Sequence, residues 1–548
     1  MMDALNEPAV SEVVFMTSAQ VGKTEILNNI LAYFIHQDPS PILFIQPTLD
    51  MAESWSKDRF APMIRDTKAL KELIRDPRSR DSGNTLLHKK FPGGHVTMAG
   101  ANSPSSLASR PIRIVLLDEE DRYPASAGTE GDPGSLAQKR TTTFWNRLLV
   151  SASTPTIEGE SRIDSRYKQS DQRKYYVPCP ECKEHQVLVW ANLKFDKTDP
   201  STAHYVCEHC GCVLTESDKL WMIAHGKWQA DAEFKGIAGF HISELYSPWV
   251  KWSEMVASFL KAKRLPETLQ TWINTSLGET WKEATEGIDF SSLLNRKENW
   301  GRVAPKDVLI VTCGVDVQDD RLEAEIIGWG LEEESWSLQY HVFHGDPAGQ
   351  QVWKDLDNLI SQQIAHESGG NLRISCTCVD SGGHHTQTVY EYCKQREINR
   401  VFAIKGANQI GKPLVSKFSR NNKLRVKLFL IGTDTAKQLL YSRLKIHEPG
   451  SGYCHFPADY PEDYFKQLTA ERIQTKFVNG HPQRVWIKPK GKRNEALDCR
   501  VYGMAALHIL NPNLEMLASE IEKQELNIKP EQQKPSTEWI AIDDNWMS

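Results

Sequence analysis

The segment from Phe15 to Glu25, FMTSAQVGKTE, places a glycine, a lysine and a threonine in succession where a strand pattern gives way to a helix pattern. An apolar, β-branched run precedes it, and apolar residues at helical spacing follow it from Ile26 to Phe34. The N–H groups of such a turn point at phosphate oxygens, and the new helix adds the positive end of its dipole. Lys23 can then reach the β- and γ-phosphates of a nucleotide, and the Thr24 hydroxyl can bind Mg²⁺. The segment therefore predicts a nucleotide-binding loop.

The loop departs from the usual phosphate-binding pattern at one position. The pattern G-x-x-x-x-G-K-[ST] begins with glycine, and this chain has Thr17 there. We therefore expect the first loop residue to lack the freedom to take a positive φ. The alternative interpretation is a Gly-Lys-Thr helix start that binds no nucleotide.

Adjacent carboxylates end a second apolar strand pattern, IRIVLLDEE from Ile112 to Glu120. We predict that this strand neighbours the loop-bearing strand in a parallel sheet. Asp118 would then hold Mg²⁺ through water, and Glu119 would polarise the water that attacks the γ-phosphate. The next strand pattern, 147–153, runs into SASTPT, whose hydroxyl side chains either sense the γ-phosphate or form an ordinary turn.

Two C-x-x-C pairs follow, separated by a segment with strand-like runs. Four thiolates in paired knuckles are typical of a closed, structural zinc site, and an intracellular chain with such pairs favours metal over disulfides. The alternative is a redox dithiol pair. Cys212 is close enough in sequence to replace Cys210 as a ligand. The predicted zinc ligands are Cys179, Cys182, Cys207 and Cys210.

A third set of acidic residues lies in the second half of the chain. Three strand patterns in succession cover 308–343, and Asp316 lies on the first; a helix and a strand ending at Asp380 follow. A final helix opens near Asn494 and carries Glu495 and Asp498 on one face. This order of elements predicts a ribonuclease-H-like nuclease, in which carboxylates hold two divalent ions about 3.5–4 Å apart for in-line attack on a phosphodiester. We predict Asp316, Asp380 and Asp498 as catalytic metal ligands, with Asp498 preferred over Glu495.

The elements that must position these residues suggest several domains. The chain has 548 residues, of which 40% are hydrophobic and 25% charged, enough for three or four cores. Strands at Ile42–Gln46 and Val96–Ala99 with a helix at Met51–Leu73 between them predict a mostly parallel sheet covered by helices. We predict an α/β multidomain fold with a P-loop ATPase domain at 1–172, a zinc knuckle at 173–216, a helical, tryptophan-rich connector at 217–305, a ribonuclease-H-like domain at 306–510 and a disordered acidic tail at 511–548.

Charge and hydropathy restrict the classes of partner and the cellular location that we expect for the protein. The total of 65 basic and 71 acidic residues says little, but 400–445 holds eleven Lys and Arg against the single acid Asp434. That segment either faces a phosphate backbone or is a solvated surface. No apolar run approaches the roughly 20 residues of a membrane span, and the N-terminus has no signal pattern, so we expect a soluble intracellular protein. The tail, with eight acids and three lysines, either docks on a partner or is a solvated terminus.

Six of these segments together resemble the large subunit of tailed-phage terminases of the lambda type. They are SAQVGKTE, LLDEEDRYP, the cysteine knuckle, GVDVQ, VDSGGHHTQTVYEYC and KGKRNEALDCRVYGMAAL, which fall in the family's order between Val10 and Leu510. The variant loop, with Gln20 and no first glycine, is itself similar to the family's form.

The resemblance implies an ATP-driven DNA-packaging motor coupled to a metal-dependent endonuclease that cuts concatemeric phage DNA. Glu119 would serve ATP hydrolysis, and Asp316, Asp380 and Asp498 the nuclease. The implied nucleotide and Mg²⁺ contacts are Ser18, Gln20, Gly22, Lys23, Thr24 and Asp118. The implied cofactors are ATP, Mg²⁺ or Mn²⁺, and Zn²⁺. Double-stranded DNA, the terminase small subunit and the capsid portal would be partners of a homo-oligomeric ring in the bacterial host cytoplasm.

Family members carry a longer stretch before the loop that contacts adenine and the small subunit, so we expect part of the N-terminal region to be missing. One alternative is a non-catalytic DNA-binding or assembly protein of a decayed prophage, which would bind no nucleotide. Another is a helicase-nuclease of repair or defence, which would carry further helicase motifs and a second motor domain.

Overall fold

The computed structural model describes residues 1–74, 84–108, 110–282, 288–301, 303–407, 412–420, 424–478 and 481–528. The chain divides into two compact units. The first unit comprises Met1–Glu286 and Ile473–Val485, and the second comprises Gly287–Arg472 and Trp486–Ser548. Among the described helices, none is both long enough and apolar enough to span a bilayer.

The first unit is built on a ten-stranded sheet in which seven consecutive strands run parallel. Its strands, with those of a small three-stranded sheet (β9 to β11), are β1 Glu12–Thr17, β2 Pro41–Gln46, β3 His88–Phe91, β4 Gly94–Gly100, β5 Ile114–Asp118, β6 Leu148–Ser153, β7 Arg173–Pro178, β8 His185–Val187, β9 Leu193–Lys194, β10 His204–Val206, β11 Val213–Leu214, β12 Lys227–Gln229 and β13 Ile237–Ile242. The order is β12-β7-β13-β1-β6-β5-β2-β4-β3, with β8 on β7. Fully buried patterns in β1, β5 and β6 explain why each reads as a continuous apolar run.

Helices cover this parallel sheet, as a parallel sheet requires. They are α1 Lys23–His36, α2 Leu49–Trp55, α3 Ala61–Asp66, α4 Lys68–Leu73, α5 Pro104–Ala108, α6 Pro133–Lys139, α7 Arg162–Gln169, α8 Glu216–Ala224, α9 Trp252–Ala262 and α10 Pro266–Trp272. The strands predicted at Ile42–Gln46 and Val96–Ala99 are β2 and β4. The predicted helix at Met51–Leu73 is α2 to α4, with a π-helical turn at Ser56–Phe60.

Two expectations about the first unit are corrected by its sheet. The acid-bearing strand β5 does not pair with β1, because β6 lies between them and pairs with both. The segment predicted as a helical connector, 217–305, contributes β13, which pairs directly with β1. Gly239 interrupts this strand's apolar pattern and packs against Ser170, which is why the sequence did not predict a strand there.

The second unit is built on another ten-stranded sheet, with the order β14-β23-β17-β16-β15-β19-β20-β22-β21 and β18 on β19. Strands β15, β16 and β17 are antiparallel, whereas β19, β20 and β22 run parallel to β15. The remaining strands of the chain are β14 Lys297–Glu298, β15 Ile310–Val317, β16 Arg321–Trp329, β17 Ser335–His344, β18 Gln363–Ala365, β19 Asn371–Asp380, β20 Val401–Ala407, β21 Ser419–Arg420, β22 Lys427–Gly432, β23 Cys454–Pro457, and the hairpin of β24 Arg472–Val478 and β25 His481–Ile487.

The remaining helices pack on this second sheet or follow it. They are α11 Phe290–Leu294, α12 Gln351–Ser361, α13 Thr386–Gln395, α14 Thr433–Leu444, α15 Glu462–Leu468, α16 Glu495–Leu510 and α17 Leu514–Ile528. Helix α17 corrects the expectation of disorder from residue 511, because Leu514, Leu517, Ala518 and Ile521 are half-buried at helical spacing. The part of the predicted tail after Ile528 lies outside the described residues.

Helix α16 lies very close to strand β15 in the second unit, and both partners have glycine at the contact. A Cβ on Gly314 would lie 2.0 Å from the Cys499 carbonyl oxygen. A Cβ on Gly503 would lie 2.3 Å from the Ile327 side chain. The two glycines therefore let the helix backbone lie directly on the strand.

Substituting Gly314→Ala should lower the free energy of unfolding of the second unit by about 3 kcal/mol, because the added methyl group has no space. Gly370→Ala is the matched control, since a Cβ there meets nothing within 4 Å. Urea unfolding followed by tryptophan fluorescence measures both variants. Equal midpoints for the two variants would contradict the packing described here.

Candidate functional site

The nucleotide-binding loop predicted from sequence connects β1 to α1. Thr17 is the last residue of β1, and the positive φ angles of the loop fall on Gln20 (57°) and Gly22 (91°). Because Thr17 keeps strand geometry, the loop does not need glycine at that position. The expected loss of conformational freedom is therefore no obstacle to this loop.

The start of the loop is held by residues that sequence reasoning did not connect with it. The Ser18 N–H donates to the Ile242 carbonyl at 3.0 Å, and the Ala19 N–H donates to the Thr275 carbonyl at 2.7 Å. A Cβ on Gly278 would lie 2.6 Å from the Ser18 nitrogen, so only glycine allows this approach. These contacts join positions more than 200 residues apart, so they cannot be predicted from the local sequence pattern.

Asp118 ends β5 in a buried position. The Gln46 amide donates to its Oδ2 at 2.9 Å, whereas its Oδ1 is buried without a hydrogen-bond partner among the described residues. Burial, together with a smaller contribution from the neighbouring Glu119 charge, raises the pKa of Asp118 to about 6. A buried carboxylate oxygen of this kind fits a ligand of Mg²⁺ or of its water shell.

The next two acids have different surroundings. Glu119 has a φ of 53°, and its Oε1 lies 2.5 Å from the Lys23 ammonium. Glu120 points away and is paired with Arg166 at 3.0 Å, and Arg166 also pairs with Glu12 at 2.7 Å. Asp118 and Glu119 each have a buried oxygen without a hydrogen-bond partner among the described residues. Glu119 is also the acid that contacts the loop lysine, whereas Glu120 is paired with arginine.

The hydroxyl residues after β6 contact the segment that follows the acids. Ser153 Oγ accepts from the Asp121 N–H at 3.3 Å, and Thr156 Oγ1 donates to the Asp121 carboxylate at 2.9 Å. They therefore join β6 to the turn that carries Glu119.

In the second unit, the structure brings Asp316, Asp380 and Asp498 to the wall of one cavity of about 510 Å³. Asp316 lies near the end of β15, Asp380 ends β19, and Asp498 lies in the first turn of α16. The order of elements predicted this meeting, because the carboxyl ends of parallel strands share one edge of a sheet.

The three carboxylates have strongly perturbed acidities. Burial raises the pKa of Asp316 well above its usual range, and the Asp498 charge adds to the effect. Burial also raises the pKa of Asp380 and brings that of Asp498 to about 6. Like charges held together out of water raise one another's pKa. Such a set fits divalent cations, which would compensate the charge.

Asp498 and Glu495 differ in the residues with which they form ion pairs and hydrogen bonds. Glu495 is paired with Arg321 at 2.9 Å and with Arg493 at 3.2 Å. Asp498 accepts from the Asn494 amide at 2.8 Å and lies 3.6 Å from the Lys437 ammonium. Only Asp498 of the two lines the cavity.

Several cavity residues were not predicted from sequence. Gln318 donates to Asp316 at 2.5 Å, and His384 bonds to Asp319 at 2.8 Å. Lys405, Lys437 and Lys488 add positive charge to the same wall. The basic composition of 400–445 signalled the first two lysines, but other basic residues of that segment pair elsewhere, as Lys427 does with Glu397 at 3.1 Å.

Five cysteines of the first unit lie together. The ligand atoms of Cys179, Cys207, Cys210 and Cys212 all lie within 4.8 Å of one another, and Cys182 Sγ is 3.9 Å from Cys207 Sγ. Cys212, which the spacing offered as a substitute for Cys210, instead occupies the place of the predicted Cys182 in this group of four and is 3.4 Å from Cys179. Hydrogen bonds from the Cys212 N–H and from neighbouring thiols lower the pKa of Cys210 to about 6. The arrangement is compatible with tetrahedral thiolate ligation of a metal.

The architecture and the two acidic sites define an α/β multidomain enzyme, and comparison with known proteins identifies its family. Residues 1–228 match the family described as the phage terminase large subunit gpA, ATPase domain, and residues 237–520 match the terminase large subunit gpA, endonuclease domain. The terminase large subunit of Enterobacteria phage P21 is 32% identical over 93% of this chain and 84% of that protein. The subunit of Escherichia phage lambda is 33% identical over the same shares. A large terminase structure from a thermophilic bacteriophage is 12% identical, with a TM-score of 0.44 over 92% of this chain and 95% of that chain.

The chain therefore belongs to the gpA family of phage terminase large subunits. It is an ATPase and a DNA endonuclease, and it acts in ATP-driven DNA packaging coupled to nuclease cutting. The resemblance inferred from the sequence motifs is confirmed.

Proposed function

We propose that the packaging ATPase acts through Lys23, Thr24, Asp118 and Glu119, and that DNA is cut by a ribonuclease-H-like site of Asp316, Asp380 and Asp498. The observation that carries the second assignment is the convergence of the buried Asp316 and the half-buried Asp380 and Asp498 on one cavity. The arrangement of β15 to β19 around them supports the ribonuclease-H-like fold. The first and second units then correspond to the motor and the nuclease.

In the motor, the contact between Lys23 and Glu119 links nucleotide binding to hydrolysis. Lys23 must turn toward the phosphates when ATP binds, which releases the Glu119 carboxylate to accept a proton from the attacking water. Asp118 is oriented by Gln46, and its other carboxylate oxygen would be available to hold Mg²⁺ or its water shell. Ser18, Gln20 and Gly22 complete the loop around the phosphates. Mg²⁺ would neutralise phosphate charge when bound.

In the nuclease, the three aspartates would hold two Mg²⁺ or Mn²⁺ ions. Bound ions would activate water and stabilise the leaving oxygen of the phosphodiester. Gln318 and Asn494 fix the orientations of Asp316 and Asp498, so these two carboxylates are positioned before DNA binds. Lys437 offsets part of their charge.

The cysteine cluster supports a structural zinc site. Its four ligands would be drawn from Cys179, Cys182, Cys207, Cys210 and Cys212, and a fully protein-ligated ion has no open position for catalysis. The knuckle is part of the first unit and would stabilise β7 and its connection to β9 and β10.

Membership of the family supports further proposals on partners. Double-stranded DNA would be moved by the ATPase and cut by the nuclease. The terminase small subunit and the capsid portal would recruit the chain, which would work as a homo-oligomeric ring in the bacterial cytoplasm. Analytical ultracentrifugation with and without DNA tests the ring.

Glu119→Gln should reduce ATP hydrolysis by about 100-fold or more, because the variant loses the group that accepts the proton. Stability should be nearly unchanged. Glu120→Gln should lower the free energy of unfolding on the order of 3 kcal/mol, because Arg166 loses a buried partner. ATP turnover and urea unfolding measured on both variants separate the roles. Normal turnover in Glu119→Gln would contradict the assignment.

Asp316→Ala should abolish nicking of supercoiled plasmid in Mg²⁺ or Mn²⁺, whereas Glu462→Gln, an exposed carboxylate on α15, should cut normally. At limiting Mg²⁺, nicking should fall as the pH falls through about 6, because protonated Asp498 no longer binds metal. Raising the Mg²⁺ concentration should move this fall to lower pH. No cleavage by the unmodified chain with any divalent ion would exclude the nuclease assignment and favour the assembly-protein alternative.

One zinc ion per chain should be found by elemental analysis, and Cys179→Ser or Cys207→Ser should lose it. Comparing Cys182→Ser with Cys212→Ser identifies the fourth ligand, since only one of them should lose the ion. Glu208→Gln is the neighbouring control. A metal-free protein in which these thiols pair as disulfides would establish the redox alternative instead.

A further inference from the structure

A short turn carries two lysines at the rim of the nuclease cavity. Residues Pro489–Lys492 close it through a hydrogen bond from the Lys492 N–H to the Pro489 carbonyl at 3.2 Å. Gly491 has a φ of 77°, which a type II turn requires at its third position. The side chains of Lys490 and Lys492 are exposed.

Both ends of the turn are tied to the acidic site. On one side, Lys488 lines the cavity and donates to Asn494 at 2.8 Å, and Asn494 in turn donates to Asp498. On the other side, Arg493 pairs with Glu495 at 3.2 Å and with the buried Glu323. The turn is therefore anchored on one side to Asn494, which orients Asp498, and on the other side to two glutamates beside the site.

The charges around the cavity give this turn a role. The carboxylates that line the cavity, Asp316, Asp319, Asp380 and Asp498, repel a phosphate backbone, and three lysines of the wall offset only part of this charge. The approach of DNA therefore requires positive charge at the rim. Arg493 forms ion pairs with two glutamates, and Lys488 donates a hydrogen bond to Asn494. Lys490 and Lys492 extend from the anchored turn into solvent, where phosphates on either side of the cut bond would pass.

We propose that the turn Pro489–Lys492 binds the DNA backbone next to the phosphodiester that is cut, with Lys490 and Lys492 each contacting a phosphate. The proposal rests on the nuclease assignment made above. Because the turn is held in position by its anchors, little conformational entropy is lost when DNA binds. The lysines recognise phosphate and not base sequence.

The double substitution Lys490→Ala with Lys492→Ala tests this proposal in the full chain. Nicking of a short duplex is measured in Mg²⁺ at several KCl concentrations. The slope of log kcat/KM against log salt should become shallower by about 1.8, since each phosphate contact contributes about 0.9. At about 100 mM salt, kcat/KM should fall roughly 10-fold or more, while kcat at saturating DNA stays unchanged.

Two companion variants keep the result specific. Lys490→Arg with Lys492→Arg should restore the slope, because both charges remain. Lys354→Ala with Lys466→Ala removes two exposed lysines from α12 and α15 and should leave the slope as it is in the unmodified chain. A double alanine variant with an unchanged slope overturns the proposal, and so does a loss confined to kcat.

Failure of the nuclease assignment and failure of the proposal about the turn give different results. If the unmodified chain does not cut, the nuclease assignment fails, and equilibrium binding of the same duplex in Ca²⁺ still compares the salt slopes of the variants. If the unmodified chain cuts and the slopes agree, the nuclease stands and the turn is not its phosphate contact.

Discussion

The contact between helix α16 and strand β15 is the constraint on which the proposed nuclease site depends. Gly314 and Gly503 remove the side chains that would separate the two backbones, and the Thr312 hydroxyl donates to the Gly503 carbonyl at 2.8 Å. Asp316 lies two residues after the first glycine, and Asp498 lies five residues before the second. A carboxylate on a strand and one on a helix can share a cavity only if the two backbones are this close.

Rotation of α16 is fixed by a buried arginine on the same helix. Arg500 donates to Ser335 and Ser337, each at 2.8 Å, and lies 3.3 Å from Glu325, with Arg500 and Glu325 both almost completely buried. Such a pair adds little stability relative to apolar packing, but its geometry admits one orientation of the helix. The first turn of α16 is thereby set, and with it the separation of Asp498, which faces the cavity, from Glu495, which faces two arginines.

The two proposed active sites use arginine in the same way. In each unit a glutamate next to the functional acids is paired with arginine: Glu120 with Arg166, and Glu495 with Arg321 and Arg493. The remaining carboxylates, Asp118 in one site and Asp316 and Asp498 in the other, have raised pKa values because burial is not compensated by a full ion pair. A neighbouring ion pair thus stabilises the fold while the functional acids stay available to metal.

Features that depend on residues close together in the sequence could be predicted, whereas most contacts between residues far apart in the sequence could not. The bounds of strands with continuous apolar runs and of helices with regular apolar spacing were predicted to within a few residues. The proximity of Asp316 and Asp380 was also predicted, because it follows from the strand order. Residues 242–278 contact the nucleotide loop through backbone groups, and such groups leave no pattern of residue types. The same limit explains β13, whose glycine is needed for packing against Ser170 and hides the strand. The local spacing of acids also cannot show which one an arginine from another element will neutralise. The preference for Asp498 over Glu495 therefore gains its physical reason only when the fold brings Arg321 and Arg493 to Glu495.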